Sequence, residues 1–366
     1  MGGVPVGRRN LFSERRRAFL GIAGAGVALL MALALDGVFA GAMGQVTVYI
    51  DRSGADAFVS QRGVRTMHMS SSAVPIATVD RVRALPGVRW ADPILYDAGA
   101  LMAGDKRELT YLIGYVPGHR GGPAALVAGR QPGPGEIVID KEAAATLGVG
   151  VGGRVTTLDR GWRVSGLTTG MTNIVNSVSY LRFADFAAAR ALTGIASYVL
   201  VGVRAPVDTV IPRIEGSTGL TAETRQAFAA QERRAIKDMS ADLLKIMTLA
   251  ALIMGLAVIG LTLYAATLSR LREIGVMKAL GASKARLSGI VLAQAAWTVG
   301  AALLLAVVLA EGLGWILGRA SATLPLVVEW PSVFRLGIGA AVLGAFGALT
   351  PLIKVWRVDP VTVFRR

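Results

Sequence analysis

Four stretches of this chain, residues 18–43, 244–268, 287–317 and 334–353, are almost wholly apolar. Each is long enough to cross the hydrocarbon of a bilayer, for which a helix needs about 20 residues. No other feature restricts the fold as strongly. With 53% hydrophobic and only 17% charged residues, a purely water-soluble globular protein is excluded and a membrane protein is expected.

The basic residues orient the spans. Arg8, Arg9, Arg15, Arg16 and Arg17 precede the first; Arg270, Arg272, Lys278, Lys284 and Arg286 lie between the second and third; Lys354, Arg357, Arg365 and Arg366 follow the fourth. Near them stand only Glu14, Glu273 and Asp359 as acids. By the positive-inside tendency both termini and the 269–286 loop face the cytoplasm, which leaves residues 44–240 outside. The net charge of +15 is thus mostly a matter of topology. Nucleic-acid binding would need basic residues gathered on one face with base-reading partners, and none is visible. The sequence "RRRAFLGIAG" resembles a twin-arginine export signal and "VFAG" offers a cleavage site after Ala40. The apolar run exceeds the usual signal core, so an uncleaved anchor is expected.

The fold expected is a polytopic α-helical membrane protein with four transmembrane helices plus an α+β extracytoplasmic domain between the first and second. Its parts are a cytoplasmic N-terminus (1–17), the first span (18–43), the outer domain (44–240) and the second span (241–268). A cytoplasmic helix and turn (269–286), the third span (287–317), an outer loop (318–333), the fourth span (334–353) and a cytoplasmic C-terminus (354–366) complete it. The outer segment carries 22 basic and 17 acidic residues, a mixed surface suited to a soluble domain. Without cysteine it must be held by its own apolar core.

Within that segment "VTVYI" (46–50) reads as a β-branched opening run, and "TVDRVRALPGVRWADPILY" as a helix, a Pro-Gly stop and a strand. "RELTYLIGYVPG" alternates like a strand, and "GEIVIDKEAAATLGV" is a strand running into a helix that ends at Gly148. "GGRVTTL" and "GWRVSGLT" read as a hairpin pair. Residues 221–239 are rich in helix formers and lead into the second span as a stalk helix. His68 and His119 lie outside any metal-ligand spacing and read as solvated loop residues; adjacent Met67, His68 and Met69 point in different directions and do not make an axial haem pair. No nucleophile elbow or S-x-x-K pair is present, so no enzyme activity is expected.

Residues 268–287, "LSRLREIGVMKALGASKARL", interrupt the apolar runs. Leu271, Ile274, Met277 and Leu280 recur by threes among Arg270, Arg272, Glu273 and Lys278, giving a short amphipathic helix. Gly281 is placed to end it and Ser283 to cap the next helix. Such a basic helix either rests on anionic headgroups or docks as a knob in a partner's groove, and the residues alone leave both open. A P-loop is not present, because no Gly-Lys-Ser/Thr follows and no strand precedes.

The stretch "RLREIGVMKALGASKARLSGIVLAQAA" resembles the motif of FtsX/MacB-type (type VII) ABC transporter permeases, with Gln294 where many members carry Glu. "TPLIKVWRVDPVTVFRR" is similar to that family's ending, with Phe364 and Val363 in place of the usual Leu and Ala. The layout of one span, an outer domain and three spans is nearest to the short haem-export or glycolipid-export permeases. The resemblance implies a homodimer paired with two copies of a separate MacB-like ATPase, which binds ATP and magnesium; this chain itself would hold no cofactor or metal. It implies that Arg270, Arg272, Glu273, Ile274, Gly275, Met277, Lys278, Ala279, Leu280 and Gly281 form the coupling helix, with Ile274 and Met277 supplying apolar contact to the ATPase.

It further implies mechanotransmission and export or extraction of a hydrophobic or amphipathic substrate from a bacterial inner membrane. A membrane-fusion or other extracytoplasmic partner and membrane lipids would take part. The alternative is an FtsX-like transducer that activates an outer cell-wall hydrolase. Asp36, Lys245 and Glu311 fall near the outer ends of their spans, where charge is costly, and Lys245 is expected to pair with Asp36 or Glu311.

Overall fold

The computed structural model describes residues 15–172, 176–269, 271–320, 326–349 and 353. They fall into two compact units, one comprising residues 41–240, the other the remainder. The expectations that rest on residues 1–14, Arg270 and 354–366 lie outside the described residues.

In the first unit, helix α1 (Arg15–Val46) gives way to a short helix α2 (Val48–Arg52), strand β1 (Ala57–Ser60), β2 (Val74–Pro75) and helix α3 (Ala77–Arg83). There follow β3 (Val88–Ala103), β4 (Lys106–Tyr115), β5 (Ala128–Gly129), β6 (Glu136–Asp140), helix α4 (Lys141–Leu147), β7 (Arg154–Thr157) and β8 (Arg160–Thr168). The unit closes with β9 (Ser177–Arg182), helix α5 (Phe183–Ala189), β10 (Ile195–Ala196), β11 (Tyr198–Val203), helix α6 (Val207–Thr218), β12 (Thr221–Thr224) and the start of helix α7 (Arg225–Ser269). Ten strands form one mixed sheet in the order β12-β1-β11-β3-β4-β9-β6-β8-β5, with β7 bridging β3 and β8; β2 and β10 pair separately.

The anticipated strand-helix unit at 136–148 is present in detail. Asp140 caps α4 by accepting from the Glu142 amide at 3.0 Å, and Gly148 ends it at φ +71°. The predicted hairpin is β7–β8. Two expectations are corrected. Residues 46–50 are helical rather than extended, because Tyr49 and Ile50 are both buried from a helical turn that Thr47 stabilises through a 2.7 Å bond from its hydroxyl to Asp51. Tertiary burial outweighs β-propensity there. Residues 221–224 are an edge strand paired with β1, so the helix begins only at Arg225, where the Thr224 hydroxyl accepts from the Ala227 amide.

Glu223, on that edge strand, gives a pH test. Burial raises its carboxyl above the usual carboxylate range, partly offset by a 2.7 Å bond from Gln231 and by Arg65, with Glu215 adding to the rise. An acid whose value is raised in the folded state contributes stability at low pH that is lost as pH climbs through the raised value. Replacing Glu223 by Gln should therefore make the variant gain on the native chain in thermal unfolding from about pH 4 to about pH 7. A difference that stays flat with pH would contradict this reading.

The second unit contains the rest of α7, helix α8 (Leu271–Ala279), helix α9 (Lys284–Ala320) and helix α10 (Trp330–Gly347), together with most of α1. Among the described residues three helices are long and apolar enough to cross a membrane, over Phe19–Val46, Lys284–Arg319 and Trp330–Gly347. The second apolar stretch, 244–268, is helical throughout as part of α7. The core of this unit is a seam on α9: Leu287, Val291, Ala295, Val299, Ala302, Ala306 and Ala310, each three or four residues from the last, are all buried. Ala25, Leu29 and Leu33 of α1 and Leu336 and Ala340 of α10 meet that seam.

Glycines bring the helix backbones close. A Cβ on Gly344 would lie 2.8 Å from Val299, and one on Gly337 would lie 3.0 Å from Leu303. These small residues therefore pack inside the subunit.

Candidate functional site

The α8 elbow is built from its turn outward. Gly281 adopts φ +88°, a conformation glycine takes without penalty. Its amide bonds the Lys278 carbonyl at 3.1 Å, and the Ala282 amide bonds the Met277 carbonyl at 2.9 Å. This pair of bonds, with Met277 and Ala282 both packed on the helical core, is a Schellman ending with its hydrophobic contact. The Ser283 hydroxyl then accepts from the Arg286 amide at 3.3 Å and starts α9. Helix, corner and re-entry are fixed by local chemistry.

On α8 the exposed residues Glu273, Val276 and Ala279, with Leu280 just past its end, lie on one arc of the helix. Leu280 is 82% exposed and Val276 41% exposed. Arg272, Ile274 and Gly275 lie on the same helix. Lys278 is half-buried. Met277 is half-buried against its own unit's core, so its side chain also anchors the elbow. The apolar side chains on offer include Val276 and Leu280, of which the spacing by threes had picked out only Leu280.

The charges near the span ends also differ from the expected pairing. Asp36 accepts from Arg335 at 3.1 Å, and Arg335 also bonds the Ser332 hydroxyl at 3.0 Å. Lys245 bonds Asp242 at 3.0 Å, one helical turn before it, so the expected Lys245 pairing with Asp36 or Glu311 is not formed. Glu311 is exposed. Beside the Asp36 pair, the Val327 amide bonds the Gly37 carbonyl at 3.1 Å; a Cβ on Gly37 would meet Val327 and one on Gly314 would meet Leu326, each at 2.9 Å.

In the first unit both histidines have partners. His119 Nδ1 lies 2.8 Å from the buried Asp92 carboxylate, whose second oxygen accepts from the Arg120 amide at 3.0 Å. His68 is only 4% exposed, with Nδ1 2.9 Å from Glu232 Oε1 in an approach off the ring N–H axis. The contact is therefore electrostatic rather than a well-formed hydrogen bond. Glu232, fully buried on α7, also accepts from the backbone amides of Met67 at 2.5 Å and His68 at 3.3 Å.

Tyr111 and Tyr96 pack on the His68 ring at 4.2 and 5.6 Å between centroids. Six of the seven tyrosines lie in this unit. Burial raises the phenols of Tyr96, Tyr180 and Tyr198 and pushes Tyr115 up to about 12, so all four stay neutral. Among the described residues no group of three or more His, Asp or Glu could hold a metal ion.

Residues 245–360 match the model of the FtsX-like permease C-terminal family. A Mycobacterium tuberculosis protein described as an uncharacterized ABC transporter permease is 25% identical over 368 residues, covering 97% of each chain. A Mycobacterium bovis protein of the same description is 27% identical over 363 residues, again covering 97% of both. The crystal structure of the periplasmic region of MacB from Actinobacillus actinomycetemcomitans aligns with 51% of this chain and 96% of its own, at 13% identity and a TM-score of 0.38.

Proposed function

We propose that this chain, whose residues 245–360 match the FtsX-like permease C-terminal model, is an ABC transporter permease of the FtsX/MacB type and the membrane subunit of an assembly in which two copies pair with two copies of a separate MacB-like ATPase. ATP and magnesium are bound by that partner, and this chain carries no catalytic group or cofactor. Four helices cross a bacterial inner membrane with both termini inside, as the distribution of basic residues requires.

The observation that carries the reading is the elbow: a short helix with an exposed apolar arc, locked at a corner between two long helices. Helix-in-groove docking gives an ATPase a handle, and Arg270, Arg272 and Lys278 select acidic groups around the groove. Nucleotide-driven closure then moves the spans and, through the helices that continue into the first unit, acts on a hydrophobic or amphipathic substrate to be exported or extracted. Bilayer lipids surround the spans, and an extracytoplasmic adaptor receives the cargo.

The test is co-expression with a MacB-like ATPase from the same genome. A stable complex whose ATP turnover in lipid differs severalfold from that of the ATPase alone is expected. An ATPase that neither copurifies nor changes its turnover would overturn the assignment.

A further inference from the structure

The β3–β4 hairpin is the longest in the sheet, with ten paired positions from Ile94–Tyr115 to Ala103–Lys106. Successive side chains alternate between its faces. One face is closed: Leu101 and Leu112 are fully buried in the core that holds Trp162 and Val164. On the other face His68 lies over Tyr96 and Tyr111. Beyond that cover, Ala98 stands opposite Tyr111, Ala100 opposite Leu109 and Met102 opposite Arg107. There Met102 is 44% and Leu109 40% exposed, and Ala98 and Arg107 are exposed too.

The two alanines keep the β3 side low while Tyr111 and Leu109 raise the β4 side, which leaves an apolar ledge that ends at a guanidinium. From Ala98 to Met102 the ledge is about 14 Å long, and at two strands' width it offers roughly 140 Å². A stable protein partner or second copy needs about 800 Å² on each side, far more than the ledge provides. An extended alkyl chain needs no more than this, and the positive end suits an anionic head.

We propose that this open face of the β3–β4 hairpin binds the tail of a single-chain anionic amphiphile, with the headgroup at Arg107. The inference deepens the permease reading, on which it rests for the role of such a molecule as cargo, by naming the cargo's chemistry. The ledge itself is tested without any ATPase, so its failure leaves the elbow assignment untouched.

Thr156 on β7 pairs directly with Met102 and is exposed, and the native chain has no cysteine. A fluorophore on Thr156→Cys in the full chain, held in nanodiscs, reports ligand on the ledge; the same label on the exposed Val151→Cys is the control. Doxyl-stearic acid should quench the Thr156 label saturably, at a concentration about tenfold lower than at the control position, a difference of about 1.4 kcal/mol. Arg107→Gln should weaken quenching by the acid severalfold while leaving its methyl ester unchanged, and Leu109→Glu should remove both.

Both substitutions are at exposed positions, and unchanged thermal unfolding verifies the fold. Equal quenching at the two labels, or an Arg107→Gln variant with native response to the acid, would overturn the proposal. Spontaneous disulfide-linked dimers of Thr156→Cys would assign the face to a second copy and overturn it as well.

Discussion

Replacing Val276 and Leu280 together by Asp abolishes assembly with the ATPase while leaving the chain folded in the membrane. Leu280 is 82% and Val276 41% exposed, so the substitution removes little packing within the chain; it places two carboxylates where an apolar contact has to form. Fully burying one such side chain is worth about 1.5–3 kcal/mol, so losing two, with charge added, weakens association by more than about a hundredfold. Pull-down from detergent and nucleotide turnover in proteoliposomes measure it. Met277→Asp is the contrasting variant: it strikes the elbow's own packing and should lower the yield of membrane-inserted protein as well as assembly. If the double variant still copurifies and cycles like the native chain, α8 is no docking knob.

The second large effect is on stability. Glu232→Ala takes away the carboxylate that accepts two backbone amides and faces His68, leaving those donors buried without an acceptor. Breaking a buried pair from one side costs about 3 kcal/mol, which for a unit of this size lowers its melting temperature by roughly 6–12 °C. Near-ultraviolet circular dichroism follows the event directly, since tyrosines crowd around the pair. Glu232→Gln should lose less, because an amide oxygen still accepts from Met67. A melting temperature within about 2 °C of native for the alanine variant would show that the carboxylate does not hold the loop.

Local chemistry explains what could be read in the chain. The elbow was legible because a glycine, a serine and a three-residue apolar spacing all lie within fifteen residues and signal independently. The strand-helix unit at Asp140 was legible for the same reason. What escaped were contacts between distant residues: Glu232 is 164 residues from His68, and Arg335 is 299 from Asp36. No local pattern marks either pair, so His68 read as solvated and Lys245 as the partner of Asp36 or Glu311. Likewise "TAET" shows nothing strand-like until β1 lies alongside it. On α8, spacing gave the helix, and only packing could tell that Met277 turns inward.

The closed corner at Gly281 has a mechanical consequence. Two backbone bonds, a hydroxyl cap and a half-buried thioether leave little compliance between Leu280 and the first turn of α9. A displacement applied at the exposed leucine is therefore delivered to the long helix as movement and is not dissipated in bending. Inserting one residue after Gly281 would turn a stiff crank into a hinge.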